Sequence, residues 1–430
     1  MANRKERGIV VQIIFCYWRA MAKLDFCFFV LVAFQVPCPQ IVAAKTHSSG
    51  TVPFIFDDNR IFAEIAFLRP DGTSRRAVAF VDIGTPQLVL EQDLGKELGI
   101  ENAKQTILRV SDLEIEVPAS DVQTDTGLGM TGRDGKRSIK VEAVLPGSVM
   151  KNYQVALDYA KRNLTMAKPD TIKPTGDAVP CRINPKTGLV SVTAEIGGRD
   201  YPLAIDCGSA YTWVRHDVAA QWIAEHRDWE RGVGAVGEAN MQVRPDGAEA
   251  RAVNLRLPQI RLGSLLLEQV GALGIERAAP PIPPAPDEQL VHGNLFDWFS
   301  KKTPEPVIGW IGANVLKNFR VTFDFPRRTI YFERENKVDS YDLSQVGITL
   351  ETRDGQKGYF IAGVAMKDGR LTVDGVIVGD RLVKIDDLDV SGATRGAIFS
   401  ALHGKPGDTR VLTLERNDKQ LKVIAKVTAF

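Results

Sequence analysis

The sequence has almost no excess of either charge: 54 lysines and arginines face 53 aspartates and glutamates, leaving a net charge of +1. Without a positive field the chain has no electrostatic means of holding nucleic acid. Histidine is scarce, with five in 430 residues. His47, His216, His226, His292 and His403 form no HExxH motif, no i, i+4 pair and no triad order, so they read as surface or structural residues rather than zinc ligands or bases. No Gly-rich phosphate loop or dinucleotide fingerprint occurs, and no metal or organic cofactor is expected. Of five cysteines, Cys16, Cys27 and Cys38 fall before residue 45, leaving Cys181 and Cys207. That excludes a disulfide framework; the remaining pair either bridges in an oxidising compartment or stays free.

Long apolar runs are also missing. Residues 21–44 read MAKLDFCFFVLVAFQVPCPQIVAA: a lysine, an apolar run over 26–36, then Pro37, Pro39 and the small residues Val42-Ala43-Ala44. This is the layout of a signal peptide, with Met21 as a candidate start, and the apolar run is shorter than the roughly 18–20 residues a bilayer span needs. Residues 1–44 are therefore expected to be a leader and the protein exported, to a bacterial periplasm or the medium, with an uncleaved membrane anchor as the weaker reading. The rest, in a chain that is 44% hydrophobic and 25% charged, has the composition of a soluble globular protein of two or three domains.

What the sequence does contain is a repeat. Residues 144–167, VLPGSVMKNYQVALDYAKRNLTMA, align without gaps to residues 310–333, WIGANVLKNFRVTFDFPRRTIYFE. Val149, Lys151, Asn152, Val155, Asp158 and Arg162 recur as Val315, Lys317, Asn318, Val321, Asp324 and Arg328. Each copy predicts a helical turn followed by a β-hairpin. Upstream, residues 77–99 and 201–223 match as apolar strand, Asp-x-Gly-Thr/Ser, apolar strand and amphipathic helix. Before these lie alternating segments that turn at Asp57-Asp58-Asn59 and at Gly197-Gly198. The order of elements thus occurs twice, giving two lobes over residues 50–168 and 180–335. The second lobe carries a proline-dense insertion over residues 276–306, where Trp298 and Phe299 either cap a groove or tuck the loop onto the body.

An aspartate after an apolar strand is ordinarily a turn residue. Two of them, Asp82 and Asp206, delivered by duplicated lobes into Gly-containing turns, can face each other across a pseudo-two-fold axis. Carboxylates that close share one proton, leaving one as general base and the other as general acid. Such a pair suits attack of water on an amide carbonyl. Gly84 and Gly208 let the backbone pass beneath the carboxylates, while Thr85 and Ser209 supply hydroxyls to orient them. A thiol-nucleophile role for Cys207 is set aside.

Asp82-Ile83-Gly84-Thr85 and Asp206-Cys207-Gly208-Ser209 resemble the Asp-Thr-Gly-Ser/Thr turns of the pepsin and retropepsin superfamily. The segments Val307-Ile308-Gly309-Trp310-Ile311-Gly312 and Asp324-Phe325-Pro326-Arg327-Arg328 are similar to the closing strands of bacterial retropepsin-like peptidases, and Leu145-Pro146-Gly147 takes the corresponding place in the first lobe. The resemblance implies an endopeptidase acting on peptide or protein substrates, with Asp82 and Asp206 catalytic and Gly84, Thr85, Gly208 and Ser209 supporting them. In that family the middle residue of each turn is usually a Thr or Ser whose hydroxyl joins a network across the lobes. Ile83 and Cys207 are expected not to make it, so the alternative is a catalytically impaired, peptide-binding relative.

From residue 341 to 430 the pattern becomes short strands with one amphipathic helix, a small partly open barrel. Gly358-Tyr359-Phe360-Ile361 resembles the carboxylate-binding loop and strand of PDZ domains, and Val378-Gly379-Asp380-Arg381-Leu382 resembles their Gly-Asp strand. The usual Ser-Pro-Ala segment is replaced by Lys367-Asp368-Gly369-Arg370-Leu371. The resemblance implies capture of protein C-termini by strand addition at residues 358–361, or a module that only packs on the lobes. The expected fold is therefore mainly β: two duplicated aspartic-peptidase β lobes followed by a PDZ domain.

Overall fold

The computed structural model describes residues 47–126, 128, 131–134, 137–234, 241–242, 251–275, 295–337, 339–353 and 356–430. The expected leader and most of the proline-dense insertion lie outside these residues. The fold is mainly β, with several sheets and a small barrel. Among the described residues no helix is long and apolar enough to cross a membrane.

The duplication in sequence is a duplication in topology. In the first lobe Ser74–Asp82 runs parallel to Ala143–Pro146, which lies antiparallel to Leu88–Glu91, itself parallel to Val122–Asp125. In the second, Arg199–Ile205 runs parallel to Gly309–Ile311, which lies antiparallel to Thr212–Arg215, itself parallel to Leu265–Ile275. Order and sense are the same in both. Each inserted strand runs into a single helical turn, Gly147–Met150 or Ala313–Leu316. The N–H of Gly147 returns to the Thr85 carbonyl at 3.3 Å and that of Ala313 to the Ser209 carbonyl at 2.8 Å. The turn after each aspartate is thereby tied to the equivalent helix.

The repeated hairpins, Gln154–Asp158 with Asn163–Ala167 and Phe319–Asp324 with Thr329–Arg334, join the lobes. Each turns through an arginine in the left-handed region, Arg162 at φ 56° and Arg328 at φ 52°. Gln154–Asp158 pairs antiparallel with Phe319–Asp324, centred on Ala156 opposite Thr322, which are equivalent positions of the repeat. The pseudo-two-fold axis therefore passes between these strands. With Asp177–Pro180 and the first half of Ser49–Asp57 at its edges, a six-stranded antiparallel sheet runs across both lobes. Every residue of Gln154–Asp158 is buried, which is why that strand shows no in-out alternation. Gln154 Nε2 donates to Asp324 Oδ2 at 2.7 Å inside this sheet, satisfying a carboxylate that would be costly to bury alone.

The C-terminal module is a second, separately filled core. Its sheet contains Ile348–Glu351, Tyr359–Val364, Arg381–Ile385, Thr409–Arg416 and Lys419–Thr428, with the helix Arg395–Leu402 capped by the Thr394 hydroxyl. It exchanges strands with the second lobe. Met241–Gln242 adds parallel to Ile348–Glu351, and Val233 pairs with Met366 of the hairpin Met366–Lys367 and Arg370–Leu371. In the connection between them, buried Asp342 accepts from Arg256 and, at 2.8 Å, from Asn314 Nδ2. Arg256 Nη2 also donates to the Phe430 carbonyl at 2.8 Å.

The second lobe settles one open alternative. Phe299, with Phe296, is buried with ring centres 5.2 and 5.0 Å from that of Trp310, and Trp298 packs half-buried against the same cluster, so this end of the insertion tucks onto the body.

Candidate active site

Asp82 ends the strand Ser74–Asp82 and Asp206 follows the strand Arg199–Ile205; both strands sit second to the inserted strands described above. The apolar residues before each aspartate, Ala79, Phe80 and Val81 in one lobe and Leu203, Ala204 and Ile205 in the other, are buried and fix where the carboxyls emerge.

The two turns meet head to head. A methyl group built on Gly84 would lie 2.5 Å from Asp206 Oδ2, and one built on Gly208 would overlap the Asp82 carboxyl group. Each glycine is the floor beneath the other lobe's aspartate, and only a residue without Cβ fits there. Gly84 and Gly208 each approach the aspartate of the other lobe, a reciprocity that sequence alone does not show.

The carboxyls lie within hydrogen-bonding range of each other. Asp82 Oδ2 accepts from the Thr85 hydroxyl at 2.6 Å, and Asp206 Oδ1 accepts from the Gly208 N–H at 2.8 Å. Asp82 Oδ1 is buried with no donor on it, which a proton shared with Asp206 would satisfy. Burial raises the pKa of both groups. Asp206, 7% exposed, is pushed well above the usual carboxylate range by burial first and by the charge of Asp82 second. Asp82 is raised too, with the Thr85 hydroxyl, Asp206 and the Gly84 and Thr85 N–H groups pulling against its burial. The Thr85 hydroxyl donates to Asp82, and that hydrogen bond favours the negative charge there.

Two expectations need correction. Ser209 does not orient its aspartate: its hydroxyl donates to the Tyr211 carbonyl at 2.8 Å and accepts from Trp310 Nε1 at 2.6 Å. The Tyr211 carbonyl takes the serine's one proton, and Trp310, in the inserted strand beside the turn, fixes its oxygen. The cross-lobe link is not wholly lost either. Cys207 Sγ lies 3.5 Å from the Val81 carbonyl of the other lobe and donates to it, while Ile83 is packed in the core. Burial holds the Cys207 thiol well above its usual range, so it stays protonated and remains a donor. Cys181 is also free, so the two cysteines do not bridge.

The second expected site stands differently. Tyr359–Val364 lies between Ile348–Glu351 and Arg381–Ile385. The Ile361 N–H donates to the Asp380 carbonyl and its carbonyl accepts from Gly379, each at 2.8 Å. Phe360 and Ile361 are therefore bonded on both sides, Tyr359 pairs on one side with Leu382, and Gly358 precedes the ladder. On its far side Ile348–Glu351 is paired in turn by Met241–Gln242, the short strand at this end of the sheet.

Sequence reasoning missed Asn59. This residue, 6% exposed at the tip of the first hairpin, donates from Nδ2 to the Ala210 carbonyl at 3.1 Å, and Ala210 directly follows Ser209. Its only sequence signal was the Asp-Asn turn itself. Among the described residues no three His, Cys, Asp or Glu side chains converge as a cation site.

No family model matches the chain and no curated protein matches it. Among solved structures, the aspartic proteinase from Irpex lacteus is similar over 68% of this chain and 99% of that one, at 10% identity and a TM-score of 0.38.

Proposed function

We propose that the chain is an aspartic endopeptidase in which Asp82 and Asp206 activate water against a peptide carbonyl. The observation that carries this is the head-to-head meeting of the two Asp-x-Gly turns, each glycine under the opposite carboxyl. Asp82, ionised and held by Thr85, takes a proton from water as its oxygen attacks the carbonyl carbon. Asp206, protonated at rest, gives its proton to the carbonyl oxygen, so a neutral diol forms and no free oxyanion has to be stabilised. Asp82 then passes its proton to the amide nitrogen. The C–N bond breaks, one diol hydroxyl returns its proton to Asp206, and carboxylic acid and amine leave. Both carboxyls end as they began.

A peptide-binding role without turnover is the second reading, favoured by the absence of a hydroxyl on Asp206 where Thr85 serves Asp82. The C-terminal module is read as a PDZ domain that recruits substrates or partner C-termini and raises their concentration at the cleft. A ligand adding a strand to it would take the Ile348–Glu351 edge, displacing Met241–Gln242. Export by the leader at residues 1–44 belongs to the same proposal.

The test is digestion of a mixed peptide library by wild type, Asp82→Asn and Asp206→Asn, at acid and neutral pH. Turnover abolished by either substitution is expected. A folded wild-type chain that binds peptides and cleaves none would move the function to the second reading.

A further inference from the structure

The tip of the first hairpin is built to be exposed and is not. Asp58 and Asn59 occupy a two-residue turn with φ 55° and 53°, the geometry of a tight hairpin that ordinarily faces water. Yet Asp57 and Asn59 are each only 6% exposed, and one Asp58 carboxyl oxygen is buried without a donor. Polar residues at a loop tip are buried at a cost unless something specific is gained there.

Two bodies cover the tip. On one side is the second lobe: Asn59 Nδ2 donates to the Ala210 carbonyl at 3.1 Å, and Lys317 Nζ donates to Asn59 Oδ1 at 3.3 Å. The same Ala210 carbonyl accepts from the Asn314 N–H at 3.1 Å, so the far end of the Asp206 turn is held from its own lobe and from the other. On the other side is the C-terminal helix Arg395–Leu402. Gly396 faces Asp57 so closely that a Cβ there would lie 2.7 Å from the Asp57 carboxyl carbon. Arg395 adds a positive charge felt by Asp58. Asp58 is also paired with Arg60.

We propose that Asn59 is a positioning residue for Asp206, and that the helix Arg395–Leu402 of the C-terminal module sets it by packing against the hairpin tip. The Asp57-Asp58-Asn59 turn is then the part through which the module acts on the candidate active site. The inference rests on the peptidase reading for its effect on turnover, but not for its effect on the Asp206 carboxyl. Asn59→Gly isolates the amide, because glycine accepts the same positive φ and removes only the side chain. Asn59→Asp keeps the shape and the turn while presenting an acceptor to the Ala210 carbonyl. Gly396→Ala leaves the lobes untouched and pushes on Asp57 from the module, and Arg395→Ala probes the same contact should Gly396→Ala not fold.

The experiment uses the full chain, measuring kcat and KM on a cleaved library peptide and a carbon-13 NMR titration of labelled aspartate carboxyls assigned with Asp206→Asn. Asn59→Gly and Asn59→Asp are expected to lower kcat by about tenfold or more at unchanged KM and to move the Asp206 titration, as expected for sub-ångström misplacement. Gly396→Ala is expected to move both in the same direction. Should wild type show no turnover, the peptidase reading falls, and the titration alone still decides the coupling. Folded Asn59→Gly with kcat and Asp206 titration as in wild type would overturn the positioning role. A module variant without effect, beside an effective Asn59→Gly, would overturn the module's part.

Discussion

Gly84→Ala and Gly208→Ala test the heart of the site, because each should damage the aspartate of the opposite lobe. In Gly84→Ala the new methyl group would stand 2.5 Å from Asp206 Oδ2 and 2.6 Å from its carboxyl carbon. Carbon and oxygen atoms pack comfortably at about 3.5 Å, so the Asp206 carboxyl must retreat by about 1 Å. In Gly208→Ala the methyl group overlaps the Asp82 carboxyl and stands 2.9 Å from its Cβ. Neither glycine has a positive φ, so backbone strain adds nothing and the cost is the collision alone. Overpacking of this kind costs about 1–3 kcal/mol, which a chain with two lobes and a module should survive. Catalysis should not survive as well: a displacement of about 1 Å at reacting groups is worth roughly 100-fold in rate. The assay is kcat/KM on a library-derived fluorogenic peptide beside thermal unfolding. Loss of about 100-fold in each variant, with cooperative unfolding retained, is expected. A folded Gly84→Ala enzyme with wild-type kcat/KM would refute the head-to-head arrangement.

The dyad also sets the response to pH. Both carboxyls have folded-state pKa values raised above about 3.9, the unfolded value for aspartate, so the stability they allow is fully present below pH ~4 and is lost as pH rises through the folded values. Asp206→Asn should therefore raise the melting temperature at neutral pH and lose that advantage near pH 4; an equal gain at both pH values would refute the assignment. Thr85→Ala should lower kcat by about 10- to 100-fold by freeing the Asp82 carboxylate, as for a lost charge-assisted hydrogen bond of about 1.5–3 kcal/mol. Ser209→Ala should act on stability instead, leaving Trp310 Nε1 without its partner at about 1–3 kcal/mol with little effect on the pH profile. Kinetic and melting measurements on the pair separate the roles. Cys207 is buried with its thiol pushed well up, and Cys181 is pushed to about 12, so neither should react with a thiol reagent at pH 7.5 until the protein unfolds. Rapid labelling of the native protein would contradict the packing around them.

The parts of the molecule legible in the sequence are those that the duplication wrote twice. The hairpins, the Asp-x-Gly turns and the helical turns after the inserted strands are local patterns, and seeing each pattern in two copies distinguishes it from chance. What remained illegible depends on contacts between segments far apart in the chain, where the copies differ. Thr85 and Ser209 are equivalent in sequence and carry the same hydroxyl, yet Thr85 donates to its aspartate while Ser209 donates to the Tyr211 carbonyl and is held there by Trp310 Nε1. Cys207 is expected to be silent across the lobes because it replaces the usual hydroxyl residue, but the Val81 carbonyl lies within reach of its thiol. Tyr359-Phe360-Ile361 resembles a peptide-binding strand, and no periodicity reveals that Phe360 and Ile361 are bonded on both sides. Asn59 was read as a turn residue, which it is, and nothing within its hairpin could show that the turn points at Ala210. The departures at Ser209, Cys207 and Asn59 all fall around one aspartate, Asp206. The symmetric scaffold brings two equal carboxyls together, and unequal neighbours then set them apart: the Thr85 hydroxyl serves Asp82, which favours charge there, while the Ser209 hydroxyl leaves Asp206 for the Tyr211 carbonyl.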